Sequence, residues 1–138
     1  MNQPRPPQAS GVRALLLDTH ALIWALSAPR RLPARVAAII RDPDTDVYIS
    51  AASTWEIAIK SSLGKIDADL AAIVSAARAA DFDELPITIA HTERLRALPA
   101  HHRDPIDRLL VAQALEERLT IVTQDRLIAA YSVARLWG

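Results

Sequence analysis

Four acidic residues stand at positions from which they could act as one group: Asp18, Glu56, Asp107 and Asp125. Asp18 closes the apolar run "VRALLLD". Glu56 sits in "AASTWEIAIKSSLGK", directly after the apolar "DVYIS". Asp107 and Asp125 flank "RLLVAQALEERLTIVTQ". Carboxylates held close together oppose joint ionisation at neutral pH, and a hard divalent cation removes that opposition. An all-oxygen donor set favours magnesium or manganese over zinc. The chemistry such a set supports is the metal-assisted attack of water on a phosphate ester.

Each acid also has a plainer use. Asp18 could cap the helix that follows its strand, and Asp125 could cap "RLIAAY". "STWE", residues 53–56, has the spacing of a capping box, in which the Glu turns back to the backbone. Asp104 and Asp107 separate more cleanly. Asp104 precedes Pro105, and proline is favoured at the first helical position, so Asp104 is expected to be the N-cap. Asp107 then falls in the first turn, where the helix dipole favours it and it can project into a cleft. Capping alone does not explain four acids on one rim, so a shared site is expected.

Around the acids stand lesser candidates. His20, His91, His101 and His102 are the histidines. His20 lies near Asp18 and could touch substrate, whereas "HHR" at 101–103 reads as loop surface. Arg103, Arg108 and Arg126 lie near the rim and could hold phosphates or be solvated charges. Thr123 could lend a hydrogen bond or be an ordinary strand threonine. Trp24, Trp55 and Trp137 read as core or interface residues.

The elements that must position these groups follow from hydrophobic pattern. Strands are expected in residues 12–18 ("VRALLLD"), at 46–50 ("DVYIS"), around Leu85–Ile87, in "TIVTQD" and in the closing "SVARLW". Helices are expected in "THALIWALSAP", "LPARVAAIIRDP", "AASTWEIAIKSSLGK" with Gly64 as its stop, "ADLAAIVSAARAA", "AHTERLRAL", "DPIDRLLVAQALEERL" and "DRLIAAY". Strands alternating with helices argue an α/β domain with a mainly parallel sheet of four to five strands between two helical layers. In such sheets ligands bind at the carboxyl ends of the strands, where all four acids would lie.

The whole chain sets the outer bounds. Its 138 residues suit one domain, expected over 12–138, and 51% of them are hydrophobic, enough for a core. Residues 1–11, with three prolines in "MNQPRPPQAS", read as a disordered arm or a cloning remnant rather than a signal peptide. Sixteen basic residues balance sixteen acidic ones, so any contact with nucleic acid must use a local patch. There is no cysteine, which excludes disulfides and thiolate metal sites and agrees with a cytoplasmic location. No apolar run is long enough to span a bilayer. Single glycines at 11, 64 and 138 cannot build a phosphate-cradling loop, so P-loop and dinucleotide-binding readings fail.

With "LLLDTHALIWAL", "ISAASTWEIAIKSSLGKI", "HRDPIDRLLVAQALEERLTIVTQD" and "VARLW" in this order and spacing, the chain resembles the PIN-domain ribonucleases, specifically VapC-type toxins of type II toxin–antitoxin modules. The resemblance covers nearly everything after residue 12. It implies a PIN-like three-layer α/β/α sandwich, a homodimer, a magnesium- or manganese-dependent endoribonuclease and a cognate antitoxin; the Ala-rich helix at 68–80 is a candidate surface for the dimer. The family's four acids map onto Asp18, Glu56, Asp107 and Asp125, with Asp18 and Asp107 as main metal ligands. Many relatives carry Asn where this chain has His20. Two other readings compete. One is a PIN-like module that binds RNA without cutting it. The other is a haloacid-dehalogenase-like phosphatase, but its second Asp, two residues after the first, is here His20.

Overall fold

The computed structural model describes residues 14–138; the expected arm at 1–11 lies outside them. β1 (Ala14–Leu17) leads to α1 (Thr19–Ser27), a 3-10 turn (Pro29–Arg31) and α2 (Ala34–Arg41). β2 (Asp46–Ser50) runs straight into α3 (Ala51–Ser62), followed by α4 (Leu70–Ala79) and β3 (Asp83–Leu85). α5 (Ile89–Ala97), α6 (Pro105–Glu117), β4 (Thr120–Val122), a second 3-10 turn (Ile128–Ala130) and β5 (Arg135–Leu136) complete the chain. The five strands form one sheet in the order β3-β2-β1-β4-β5, with every pairing parallel.

The continuous apolar run of β1 follows from its central place, covered on both faces. Leu15 and Leu17 pack with α1, α2, Ile57 of α3 and α4. Leu16 points the other way, to Leu110, Val111 and Ala114 of α6 and to Ile128 and Tyr131. All three leucines are fully buried, each worth about 2 kcal/mol of transfer free energy. The alternation makes three layers: α1, α2 and α4 on one face, α5 and α6 on the other. No helix among the described residues is long and apolar enough to cross a membrane.

Three expectations need correction. The third strand is Asp83–Leu85, earlier than expected, because Pro86 has no N–H with which to extend a ladder. "DRLIAAY" forms only the short 3-10 turn. "STWE" is no capping box: α3 starts at Ala51, as its pattern indicated, with Ser50 as N-cap accepting from the Ala52 N–H at 3.0 Å. Ser53 instead accepts a bond from the Thr19 hydroxyl at 3.2 Å, which joins α1 to α3. Arg108, read as a phosphate contact or a solvated charge, donates to the Leu98 carbonyl at 3.1 Å and ties the start of α6 to the end of α5.

Gly64 follows α3 with φ +71, and an added Cβ would meet nothing within 4 Å. Gly64→Ala therefore meets only the left-handed backbone penalty, and unfolding in urea should show a loss of about 1 kcal/mol. An unchanged midpoint would mean that the turn relaxes without cost.

Candidate active site

The chain leaves β1 outward to β2 and β3, then returns to place β4 on the other side of β1. The strand order reverses there, and a crevice opens beyond the carboxyl ends of β1 and β4. Asp18 is the first residue past β1, and its N–H donates to the Val122 carbonyl at 3.0 Å, which holds the two strand ends together. A cleft of about 330 Å³ lies here, lined by Asp18, Thr19, His20, Glu56, Lys60, Asp104, Asp107, Gln124 and Asp125. All four expected acids meet in it. A larger groove, about 980 Å³, lies toward the opposite edge beside Asp46, Tyr48 and Phe82, away from them.

Asp18 both caps and faces the cleft. Its Oδ1 accepts from the Ala21 N–H at 2.8 Å, the N-cap bond of α1. Burial pushes its carboxyl up; bonds from the Thr123 hydroxyl and the Ala21 N–H and the charge of His20 oppose the rise, while Asp125 adds to it. Thr123 is fully buried, and its Oγ1 accepts from the Asp125 N–H at 3.0 Å. It thus links the two acids at the ends of β1 and β4. This supporting role was open in the sequence.

Asp104 is the N-cap of α6, as expected: its Oδ1 accepts from the Ile106 N–H at 2.8 Å and the Asp107 N–H at 3.1 Å. That frees the Asp107 carboxylate, one turn in. Burial pushes Asp107 up to about 7, repulsion from Asp104, Asp18 and Glu56 adds to the rise, and His102 opposes it. Asp125 also does two things. Its Oδ1 accepts from the Leu127 N–H at 2.9 Å, and its Oδ2 meets His102 Nε2 at 2.6 Å. Burial would raise its carboxyl, but the bonds from His102 and Leu127 outweigh this and hold it below the ordinary range.

Glu56 is nearly buried and pairs with Lys60, one turn along α3, at 2.6 Å. That bond to Glu56 raises the Lys60 amine, against the effect of burial, and the charges of Asp104 and Asp107 add to the rise. Lys60 was missed in the sequence, although the Glu-to-Lys spacing of four marks neighbours on a helix. His102 was also missed. His101 and Arg103 are exposed as expected for "HHR", but the His102 side chain is only 10% exposed and lies 3.2 Å from Asp107. His20 lines the cleft, and its ring stacks tilted on Trp24 at 5.7 Å. Arg103 and Arg126 are exposed and outside the cleft lining. Trp24 packs against Trp137 at 6.0 Å, in keeping with a core role, whereas Trp55 is exposed.

The raised Asp107 carboxyl has a consequence for stability. A carboxyl that titrates near 7 when folded and near 4 when unfolded binds more protons in the native state between those values. Asp107 therefore destabilises the fold progressively as pH rises from about 4 to 7. In chelator, wild type should lose on the order of 10 °C in Tm across this window relative to Asp107→Asn. Parallel Tm–pH curves would show that Asp107 titrates normally.

The model of the PIN domain family matches residues 15–134, and the chain belongs to that family. Its PIN fold agrees with the expected three-layer architecture. Ribonuclease VapC22 of Mycobacterium tuberculosis is 28% identical over 119 residues, covering 85% of this chain and 91% of that protein. Among solved structures, VapBC2 from Rickettsia felis, bound to a DNA fragment from its promoter, superposes with a TM-score of 0.68 at 13% identity, covering 91% of this chain and 99% of the other. The VapBC-5 toxin–antitoxin structure from Mycobacterium tuberculosis gives 0.57 at 22% identity, covering 89% and 98%. At these identities the structural likeness is one of fold.

Proposed function

We propose that the chain is a metal-dependent endoribonuclease, the toxin of a type II toxin–antitoxin module, built as a single domain over residues 12–138. The observation that carries this reading is the convergence of Asp18, Glu56, Asp107 and Asp125 on one cleft at the switch point of the sheet. The similarity to a ribonuclease named VapC22 supports it.

The residues fit a hard divalent cation. The cleft offers five carboxylates against one lysine, and their mutual repulsion and burial leave Asp107 titrating near neutrality. Only a cation restores full charge to such a set at low cost. Asp18 and Asp107 would hold magnesium or manganese, with Glu56 and Asp125 completing the set. The ion would supply Lewis-acid activation of water and stabilisation of charge on the phosphate. Thr123 keeps Asp18 and Asp125 in register. Lys60 stands inside the cleft where a backbone phosphate would enter, and His20 flanks it. Arg103 and Arg126, exposed near the rim, would bind phosphates farther along an RNA strand.

The partner would be a small VapB-type antitoxin; the structures similar in fold include a toxin–antitoxin complex from Klebsiella pneumoniae and a member of the VapBC family of toxin–antitoxin systems. α3 offers a surface for it. Trp55, Ile59 and Leu63 are 57%, 40% and 63% exposed and follow one another at helical spacing, the pattern read by an amphipathic segment. Glu56 and Lys60 lie on the same helix, so a bound segment could also pair a cation with the cleft acids. We place the protein in the cytoplasm and expect a homodimer through α4. Expression tests the reading. The chain alone should arrest growth, and co-expression with an adjacent small gene should restore it through a stable complex. Unimpaired growth with abundant folded protein would contradict it.

A further inference from the structure

His102 stands among the acids in an arrangement that admits two opposite roles. One ligand atom from each of His102, Asp107 and Asp125 lies within 4.8 Å of the others, the composition of a metal site with one imidazole and two carboxylates. A ligand and a hydrogen-bond donor would both aim Nε2 at these oxygens. The other ring nitrogen decides between them. The backbone N–H of Asp104 donates to His102 Nδ1 at 3.0 Å. A backbone N–H can only donate, so Nδ1 presents a lone pair and carries no proton. The ring proton is then on Nε2, 2.6 Å from Asp125 Oδ2 and 3.2 Å from Asp107 Oδ2.

A ligating histidine has the reverse arrangement: Nε2 bare for the metal and Nδ1 protonated toward an acceptor. To adopt it, His102 would have to turn a proton against the Asp104 N–H. Asp104 is also the residue whose Oδ1 caps α6, so the same turn fixes the helix start and the tautomer. The loop is anchored as well. The His102 N–H donates to the buried Tyr131 hydroxyl at 3.0 Å, and His101 packs edge-on to the same ring at 5.0 Å.

We propose that His102 is a positioning residue of the cation site: a donor locked as the Nε2–H tautomer, which holds the Asp125 carboxylate in place beside Asp107 and is not itself a ligand. The inference rests on the reading of the cleft as a magnesium or manganese site. It deepens that reading, because withholding the imidazole leaves only oxygen donors, the set that suits hard cations.

The test uses the full chain and two readouts that do not involve RNA. Long-range proton–nitrogen NMR should find His102 as the Nε2–H tautomer both before and after saturation with Mg2+. Calorimetry should show Mg2+ binding weakened by about 10- to 100-fold in His102→Ala. His102→Gln, whose amide N–H reaches a similar place, should stay close to wild type. A switch to the Nδ1–H tautomer on metal binding would overturn the proposal in favour of ligation. Equal losses in Ala and Gln would do the same, and wild-type affinity in His102→Ala would show that the residue positions nothing. If the wild type binds neither Mg2+ nor Mn2+ at millimolar concentration, the cation reading itself fails, an outcome distinct from the others.

Discussion

Asp107→Asn is expected to abolish RNA cleavage while leaving the fold intact. The cap of α6 is Asp104, not Asp107, so the substitution removes no helix-stabilising bond. Asn has nearly the same volume and no charge. It relieves repulsion from Asp104, Asp18 and Glu56, so the variant should be at least as stable as wild type at pH 7. Activity should fall by more than the roughly 10- to 100-fold that follows loss of a residue merely supporting a ligand. Asp104→Asn is the matched control. Its side-chain oxygen can still accept the Ile106 and Asp107 N–H bonds, because Asn caps about as well as Asp, and most activity should remain. Cleavage of a labelled RNA, read beside circular dichroism, separates the two. The reverse result would mean that cap and site residue have been exchanged.

Asp18 should give an equally large effect but a more complicated one, because it has two roles. Asp18→Ala removes a site carboxylate and the acceptor for the Ala21 N–H. Cleavage should drop to background, and the lost cap should cost about 1 kcal/mol. Part of that cost is offset, since a nearly buried carboxylate no longer has to be desolvated. Asp18→Asn separates the roles. It keeps an acceptor for Ala21 and loses the charge, so it should be as inactive as Asp18→Ala yet as stable as wild type. An active Asp18→Asn variant would show that the charge at this position is not needed, and the cation reading would lose its main ligand.

These two residues also show how far the sequence could be read. Asp18 and Asp125 were legible because each lies just past a short, continuous apolar run that reads as a buried strand, and parallel sheets gather such residues on one edge. Asp104 and Asp107 were separable because Pro105 fixes where α6 begins. His102 was not legible. Its role depends on meeting Asp125, 23 residues away, through a loop held by Tyr131, and no local pattern encodes that contact. The start of α3 at Ala51 was legible but its cap was not: Ser50 ends a strand and caps a helix at once, and "STWE" offered a competing capping signal. Arg108 looked free to meet phosphate, but only the packing of α5 on α6 reveals its partner at Leu98.

The most direct test of the central claim is cleavage of RNA by the purified chain, followed as divalent cation is withdrawn and restored. Cleavage should proceed in Mg2+ or Mn2+, stop in excess EDTA and resume when either ion is added back. Undiminished cleavage in excess chelator would contradict the account, because the gathered carboxylates would then have no cation to hold.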